Sequence, residues 1–386
     1  MTKKLGEVCE IIYGYPFDSK LFNNNQKGKP VIRIRDVVRG FSETFTTEPC
    51  DSKYWISKDD VLIGMDGDFN ISTWKSSRAL LNQRVCKLES GEKITNLYLR
   101  YILPTKLQGI WDKKLFTTVK HLSAKDLNSI SISIPPLPEQ KRIVKKIDAA
   151  FEKIDKLKAN AERNLANAKD LFQSALDEAM RPKKGWVEKR LGEVGEYRKG
   201  PFGSSLTKRI FIPKNSTAIK VYEQKNAIRK TATIGEYYIT REYFNSKMSG
   251  FEVLPGDIIV SCAGTIGETF IMPEDMERGI INQALMRMRI APEVDKFYFL
   301  YYFDHILKRS ANALSNGSAM KNIPPFSVFK QLLIPIPPLS EQREIVKRLD
   351  LLAEKIKILE QNYTQQIADC VEMRQAVLRE AFEGRL

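Results

Sequence analysis

Two long segments of the chain carry apolar or small residues at an alternating spacing of four and three. The first series is Ile143, Ile147, Ala150, Ile154, Leu157, Ala161, Ala168, Leu171 and Ala175, with Asn164 as a polar interruption. The second series is Ile345, Leu349, Leu352, Ile356, Leu359, Tyr363, Cys370, Met373 and Val377, interrupted by Gln366. This spacing is typical of a coiled-coil seam, so we predict two helices of roughly 42 residues, each about 63 Å long.

The same proline-rich motif precedes both predicted helices. Residues 134–140 read IPPLPEQ, and residues 336–342, 202 positions later, read IPPLSEQ. Each proline fixes its own φ and disfavours helix at the preceding residue, so the chain reaches the helix extended. Pro138 suits a first helical turn and Ser340 suits an N-cap, whereas Pro182 cannot continue the first helix. Matched motifs and lengths favour a repeated unit over two unrelated core helices of one large domain.

The repeat continues outside the helices. LGEV occurs at residues 5–8 and 191–194, and the pair NQ occurs at 82–83 and 282–283. Short apolar runs bounded by Gly, Asp or Asn predict strands at 31–34, 61–63, 79–88, 218–222, 257–261 and 285–290, and residues 96–103 and 296–308 have a helical pattern. We predict a mixed α/β (α+β) fold with a globule at 1–138, a helix at 139–181, a globule at 182–338 and a helix at 339–386.

The positive charge of the chain belongs to the globules. The net charge is +15; residues 1–138 carry 21 basic against 15 acidic side chains, residues 181–338 carry 24 against 15, and the two helical regions are close to neutral. A basic excess on two equivalent modules is expected of a protein that binds a polyanion. A basic surface that serves only solubility is the alternative.

Motifs of catalysis are absent or incomplete. No glycine-rich P-loop is present. The segment 322–326 (NIPPF) resembles an adenine methyltransferase motif, but an inserted isoleucine changes its spacing and no glycine-rich cofactor loop precedes it. The run SCAGTIG at 261–267 is interpreted as a glycine turn after a strand, and Asp66 and Asp68 as loop residues rather than a nuclease pair. We therefore predict a chain without catalytic residues.

The remaining composition predicts a protein of the cytoplasm. The five cysteines are scattered without a Cys-x-x-Cys pair, and only two histidines could join them in a metal site, so we expect reduced thiols, no zinc site and no disulfide framework. No apolar signal region opens the chain, and no segment has the length of a membrane span. We expect no membrane partner.

The repeated motifs resemble those of the specificity (S) subunit of type I restriction-modification systems. The likeness rests on the paired PPLxEQ motifs, on the paired LGEV motifs and on the pattern GDII at 256–259, and it extends over essentially the whole chain. In that family two target-recognition domains each read one half of a split sequence in double-stranded DNA. Two long antiparallel coiled-coil helices separate the domains, which gives an internal pseudo-twofold repeat.

The resemblance also implies the partners and cofactors of the complex. Two methyltransferase (M) subunits would dock on the chain and methylate adenine with S-adenosylmethionine, and the flipped base would enter the partner's pocket. Restriction (R) subunits would add a motor that uses ATP and Mg. No cofactor is expected in this chain itself.

Candidate DNA-binding residues follow from their positions beside the repeated motifs. Basic, amide, hydroxyl and aromatic side chains can pair with base edges or hold phosphates. We expect these roles at Tyr15, Lys20, Arg33, Arg35, Lys120 and His121 in the first globule, and at Lys199, Ser204, Lys220, Tyr222, Ser318, Lys321 and Asn322 in the second. The turns before Asn82 and Asn282 and the residue Thr118 join them.

Two other functional classes remain as alternatives. A coiled-coil scaffold with incidental DNA binding would show no sequence preference and would need no methyltransferase. A self-contained methyltransferase or nuclease would be active as the isolated chain, and the missing motifs argue against it.

Overall fold

The chain divides into two compact units. We describe it from a computed structural model that defines residues 1–113, 120–313 and 326–385, including all side chains except those of 307–313 and 326–327. One unit comprises Met1–Asn164 and Tyr363–Leu386, and the other comprises Leu165–Asn362. Each unit therefore contains one globule and a segment of each long helix.

The described part of the first globule consists of short strands and three helices that precede the first long helix. The strands are β1 (Thr2–Lys4), β2 (Cys9–Tyr13), β3 (Phe22–Asn23), β4 (Lys29–Ile32), β5 (Phe45–Thr46), β6 (Trp55–Ile56), β7 (Val61–Gly64), β8 (Ile71–Thr73), β9 (Ala79–Leu81), β10 (Val85–Ser90) and β11 (Ser131–Ser133). The helices are α1 (Asp36–Arg39), α2 (Asn96–Lys113), α3 (Ala124–Asn128) and the long α4 (Leu137–Ala179).

The described part of the second globule has a similar, though not identical, order of elements. Its strands are β12 (Val187–Arg190), β13 (Gly195–Lys199), β14 (Ile219–Tyr222), β15 (Tyr238–Ile239), β16 (Glu252–Val253), β17 (Ile258–Ser261), β18 (Thr269–Ile271), β19 (Gly279–Ile281), β20 (Leu285–Ile290) and β21 (Leu333–Ile336). The helices are α5 (Gln224–Ile228), α6 (Arg241–Tyr243), α7 (Lys296–Ala313), α8 (Phe326–Phe329) and the long α9 (Leu339–Phe382).

In the described residues, each globule has three sheets that correspond to those of the other globule. The four-stranded antiparallel sheets have the orders β2-β10-β7-β8 and β13-β20-β17-β18, and the two-stranded sheets pair β1 with β11 and β12 with β21. The third sheets, β3-β5-β4-β9-β6 and β15-β14-β19-β16, each contain one parallel pair, β4 with β9 and β14 with β19. These matching topologies confirm the mixed fold class and the internal repeat.

The predicted single strand at 79–88 is wrong, because the structure has two strands there. The segment 79–81 pairs with β4 in the third sheet, and β10 (85–90) pairs with β2 and β7 in the four-stranded sheet. Residues 82–84 turn the chain from one sheet to the other. A continuous apolar run does not reveal such a change of sheet, because the side chains on both sides of the turn are buried.

The apolar seam of each long helix completes the core of a globule. In the first unit, Ile143, Ile147 and Phe151 of α4 join the cluster that contains the buried residues of α2 and of the four-stranded sheet. In the second unit, Ile345 and Leu349 of α9 take the corresponding places. None of the helices in the described residues is long and apolar enough to cross a membrane.

The two long helices pair antiparallel. In the first unit the start of α4 meets the end of α9, where Arg374 forms an ion pair with Asp155 and lies 3.9 Å from the ring centre of Phe151. In the second unit the end of α4 meets the start of α9, and Phe172 and Ile356 line one groove. The predicted antiparallel coiled coil is confirmed.

Gln140, the last residue of the first proline-rich motif, ties α4 to the globule. Its side chain is fully buried, and its Oε1 accepts a hydrogen bond from the Thr95 N–H at 3.0 Å. Its Nε2 donates to the carbonyl oxygens of Lys93, at 2.8 Å, and of Pro135, at 2.9 Å. Because Thr95 immediately precedes α2, one amide group fixes the start of α4 against the start of α2.

Gln342 makes the same three bonds in the second unit. Its Oε1 accepts from the Asp295 N–H at 2.7 Å, and its Nε2 donates to the carbonyl oxygens of Glu293, at 3.1 Å, and of Pro337, at 2.9 Å. An amide is the one side-chain group that supplies an acceptor and two donors at this place. This explains why glutamine closes both motifs.

Candidate nucleic-acid interface

Several loops of the first globule meet at one end of the four-stranded sheet. In the antiparallel register, the end of β2 and the end of β7 both lie beside the start of β10. The Tyr15 N–H donates to the Leu81 carbonyl oxygen at 2.8 Å, and the Gln83 N–H donates to the Tyr15 carbonyl oxygen at 3.0 Å. We call this group of loops, residues 14–20, 33–36, 65–68, 82–84 and 120–121, the first loop cluster.

A glycine permits the close crossing of two of these loops. A Cβ atom on Gly14 would collide with the Asn82 carbonyl oxygen, and a Cβ atom on Gly200 would collide with the Asn282 carbonyl oxygen in the second unit. The NQ pairs of the sequence therefore mark two crossings. In the first globule the loop after β2 crosses the turn between β9 and β10, and in the second globule the loop after β13 crosses the turn between β19 and β20.

The aromatic and basic residues predicted in the first globule occupy this end of the sheet. Tyr15 is half-buried, with its ring centre 4.9 Å from that of Phe17 and 5.3 Å from that of Tyr54. Lys20 is exposed, and Arg33 and Arg35 are exposed directly after β4. Because β4 runs parallel to β9, both arginines lie at the same edge as the turn that begins with Asn82.

Charged side chains from three further loops converge beside them. The Asp66 carboxylate lies 2.6 Å from His121 Nδ1 and 3.3 Å from Arg84 Nη1. The Trp111 Nε1–H donates to the Gly67 carbonyl oxygen at 3.0 Å, and the Lys120 ammonium lies 2.9 Å from the Trp111 ring centre. The structure therefore places Lys120 and His121 at the first loop cluster, and their contact with DNA stays a prediction.

Sequence reasoning did not include Arg84 or Asp66 among the candidate residues at this place. The bonds of Asp66 join residues 18 and 55 positions apart in the chain, so no local pattern indicates them. The one available signal was the NQR turn itself, in which an arginine follows the repeated NQ pair.

The second globule has a corresponding second loop cluster, residues 199–205, 223–226, 262–267 and 282–284. Lys199 ends β13 and is exposed, as is Ser204 in the short 3₁₀ turn that follows. Phe202, between them, is 88 % exposed. The Cys262 N–H donates to the Ala284 carbonyl oxygen at 2.8 Å, as the Met65 N–H donates to Arg84 in the first unit.

The prediction that Lys220 and Tyr222 contact DNA does not fit the structure, because both side chains are buried. Lys220 is 1 % exposed, and its ammonium donates to the Ala232 carbonyl oxygen at 2.8 Å and to Glu277 at 3.0 Å. The Tyr222 hydroxyl donates to the Glu277 carbonyl oxygen at 2.6 Å. Both polar groups have their partners inside the globule, so neither can reach a base in this conformation.

The strand register identifies the true counterparts of Arg33 and Arg35. Ile32 pairs with Leu81, the residue before Asn82, and Tyr222 pairs with Ile281, the residue before Asn282. Ile32 is therefore equivalent to Tyr222, and the two arginines are equivalent to Glu223 and Lys225.

A matching hydrogen bond supports this register. The Arg33 N–H donates to the Asp36 carboxylate at 2.9 Å, and the Glu223 N–H donates to the Asn226 side-chain oxygen at 2.8 Å. Asn226 is consequently a buried capping residue, and Lys225 is the half-buried basic residue at this edge.

Four predicted residues lie outside the described part of the chain. They are Thr118, Ser318, Lys321 and Asn322.

The environment of Ser261 and Cys262 is that of a structural turn. The Ser261 hydroxyl accepts from the Glu268 N–H at 3.0 Å and donates to the Thr265 carbonyl oxygen. Burial raises the pKa of the Cys262 thiol to about 11, although the charge of Lys199 acts in the opposite direction. The thiol is therefore protonated at neutral pH, and thiolate is the reactive form. Among the described residues, no group of three or more His, Cys, Asp or Glu side chains is arranged to hold a metal ion.

Comparison with known proteins identifies the family. The model of the type I restriction modification DNA specificity domain matches residues 1–165 and again residues 183–368. The chain belongs to this family. Each match covers one globule and the larger part of the long helix that follows it.

Named relatives agree with this assignment. The type I restriction enzyme EcoBI specificity subunit of Escherichia coli is 29 % identical over 99 % of this chain and 85 % of its own length. A putative type I restriction enzyme specificity subunit of Haemophilus influenzae is 28 % identical over 82 % of this chain and 79 % of its own length.

Solved structures share the fold. A chain from a study of complex assembly and conformational transition of the type I R-M system superposes with a TM-score of 0.74 at 21 % identity, covering 100 % of this chain and 98 % of the other. The HsdS subunit of Thermoanaerobacter tengcongensis superposes with a TM-score of 0.59 at 20 % identity, covering 100 % and 97 %.

Proposed function

We propose that this chain is the DNA-recognition subunit of a type I restriction-modification complex, and that each globule reads one half of a split DNA target. The observation that carries the proposal is the recurrence of one loop cluster at the same end of the same sheet in both units of a family member. The residues in the two clusters differ, so two different half-sites are expected. Basic side chains at each cluster supply the attraction for phosphates.

Within the first loop cluster, we propose Tyr15, Lys20, Arg33, Arg35, Lys120 and His121 as DNA contacts. The second cluster offers Lys199, Ser204 and Lys225, and Ser318, Lys321 and Asn322 remain candidates from sequence alone. Changing Arg33 to Ala tests the assignment, because loss of a base contact costs about 1–3 kcal/mol on the cognate duplex only. An equal loss on random DNA, with a smaller salt slope, would make Arg33 a phosphate contact.

The long helices are proposed to set the distance between the half-sites and to carry two methyltransferase subunits. In support, both units leave apolar residues of these helices uncovered: Leu157 and Met373 are about half exposed in the first unit, as are Leu171 and Ile358 in the second. Adenine methylation would use S-adenosylmethionine bound by the partner, and ATP and Mg would serve a restriction subunit. This chain would contribute recognition without catalysis, in the cytoplasm.

The deciding experiment is a genome-wide map of methylated adenines in cells with the gene intact and deleted. Disappearance of one split motif on deletion would support the proposal and reveal both half-sites. An unchanged map, together with failure to purify a methyltransferase with the chain, would favour a scaffold that binds DNA without sequence preference.

The modular reading has its own test. Exchanging residues 1–138, the proposed first domain, for the same region of a relative should change one half of the motif and leave the other half and the spacer unchanged. A change in both halves would contradict the assignment of one half-site to each domain.

A further inference from the structure

A carboxylate lies among the cationic groups of the first loop cluster. The Asp66 side chain is 26 % exposed, whereas its partners Arg84 and His121 are 56 % and 46 % exposed. The carboxylate is therefore the less exposed partner in both contacts.

The backbone holds these three residues in place. The Met65 N–H donates to the Arg84 carbonyl oxygen at 2.9 Å, and the Leu122 N–H donates to the Met65 carbonyl oxygen at 2.7 Å. The loop of Asp66 is thus bonded on one side to the loop of Arg84 and on the other to the loop of His121. The backbones of the three loops are thus joined before any ligand arrives, which reduces the ordering needed on binding.

A negative charge at a polyanion-binding surface opposes binding, so its presence at this place calls for a compensating role. Arginine has five N–H donors in a planar fork, and one carboxylate contact leaves the other donors free to point in a defined direction. Arginine held in this way pairs with guanine through two donors, and such a pair discriminates strongly against other bases. The carboxylate also repels phosphate, which lowers the affinity for DNA that offers Arg84 no matching base.

We propose that Asp66 is a positioning residue that determines specificity for the first half-site, by orienting Arg84 and His121. The inference rests on the proposed function and deepens it: Asp66 strengthens discrimination while it weakens binding to DNA of unrelated sequence. Its effect has opposite signs on the two kinds of DNA.

The second loop cluster lacks this device, which makes it an internal control. The hydrogen bond from Cys262 to Ala284 is equivalent to the bond from Met65 to Arg84. By this register Asp66 corresponds to Ala263 and Arg84 to Ala284. Discrimination at the second half-site must therefore be independent of the proposed mechanism.

The test uses the complex of the full chain with its methyltransferase, and the split site found by methylation mapping. Binding is measured on four duplexes: the cognate site, the site with its first half altered, the site with its second half altered, and a random duplex. The variants are Asp66→Asn, which keeps the shape of the side chain, Arg84→Gln, and Asp68→Asn. Asp68 is exposed in the same loop, so its variant removes the same charge and leaves the contacts of Asp66 with Arg84 and His121 in place.

We expect Asp66→Asn to lose about tenfold in discrimination at the first half-site, as for one lost base pairing, while binding to the random duplex stays equal or increases. Arg84→Gln should lose the same discrimination at the first half-site. A variant that combines Asp66→Asn with Arg84→Gln should lose no more discrimination than either single variant. Asp68→Asn should keep discrimination. Discrimination at the second half-site should be unchanged throughout.

Three results would overturn the inference. Equal weakening by Asp66→Asn on cognate and random duplexes would assign Asp66 a structural role only. Equal behaviour of Asp66→Asn and Asp68→Asn would reduce the effect to net charge. Full retention of discrimination by Arg84→Gln would remove the proposed reader. A wild-type complex without preference for any split site would instead refute the proposed function itself. The binding measurements on the wild-type complex alone would reveal this.

Discussion

Replacing Gln140 with alanine should detach the start of the first long helix from its globule. The substitution removes three hydrogen bonds of a fully buried side chain and leaves one backbone N–H and two carbonyl oxygens without their partner. An ordinary hydrogen bond contributes about 0.5–1.5 kcal/mol, and a buried group left without a partner costs about 1–3 kcal/mol. We therefore expect a loss of about 2–4 kcal/mol for the first unit.

Hydrogen exchange at the Thr95 amide reports this loss directly, because that N–H donates to the Gln140 side chain. At about 1.4 kcal/mol for each factor of ten, the expected loss corresponds to exchange faster by about 30- to 1000-fold. Gln342→Ala should produce the same effect at the Asp295 amide. The matched control is Gln365→Ala, which changes an exposed glutamine of the second long helix that bonds only within that helix, to Asp369.

The outcome that contradicts this reasoning is specific. If Gln140→Ala shifts the unfolding transition no more than Gln365→Ala and leaves Thr95 exchange unchanged, the three bonds do not fix the junction. Gln140→Glu adds a further check, since it keeps the acceptor and loses both donors. It should resemble the alanine variant rather than the wild type.

Three further predictions follow from buried groups. Lys220→Ala should lower the thermal unfolding temperature of the second globule, because the buried ammonium forms its hydrogen bonds inside the globule. The dependence of DNA affinity on salt concentration should stay unchanged, since this ammonium meets no phosphate. A weaker salt dependence would contradict this. Burial and the hydrogen bond to a carboxylate raise the pKa of Tyr101 to about 12, above its ordinary value of 10.0. Its contribution to stability is therefore complete below pH 10 and is lost as the pH rises towards 12. Tyr101→Phe should reduce this alkaline loss in unfolding measurements, and an unchanged profile would refute the assignment. Burial raises the pKa of both half-buried thiols, Cys50 and Cys262, and raises that of Cys262 to about 11, the larger shift. Alkylation at pH 8, followed by mass spectrometry, should therefore modify Cys50 before Cys262; the reverse order would contradict this.

The two long helices could be predicted from the sequence, because the patterns that indicate them are local. The four-three spacing and the proline-rich motifs predicted α4 and α9, and the structure has these helices at Leu137–Ala179 and Leu339–Phe382. Not every seam position is covered, however. Leu157 and Leu171 are both about half exposed, since spacing indicates a face of a helix but not how much of that face a neighbour covers.

The burial of Lys220 could not be predicted from the sequence, because the carboxylate that pairs with it is far away along the chain. A lysine in a short strand suggests an exposed residue, since charged side chains are rarely fully buried unless they are paired. Here Glu277, 57 positions further along the chain, approaches the ammonium to 3.0 Å, and a second lysine, Lys214, meets the same carboxylate at 2.7 Å. Pairing over such a separation has no local sequence pattern.

The candidate residues of the first globule were chosen on local signals, and their contact with DNA stays a prediction. Tyr15 comes shortly after β2, and Arg33 and Arg35 come directly after β4, so all three lie where a strand has ended. The same reasoning chose the wrong residues in the second globule. It chose Lys220 and Tyr222, whereas the residues equivalent to Arg33 and Arg35 are Glu223 and Lys225, three positions later in each case. Loops of different length separate the motifs, so equal offsets do not identify equivalent residues; only the strand pairing to the NQ turn does.

The two units keep the same frame and differ in what the frame presents. In both units a glycine, Gly14 or Gly200, crosses close to the carbonyl oxygen of an asparagine. In both units a buried glutamine, Gln140 or Gln342, forms hydrogen bonds with backbone groups at equivalent positions. At the loop clusters between these fixed points, the side chains change in charge and size, from Asp66 and Arg84 to two alanines. A frame held by backbone contacts does not depend on the loop side chains, so the loops can vary without loss of the fold. Under the proposed function, this separation of frame and loop side chains lets one fold read two unlike half-sites within a single chain.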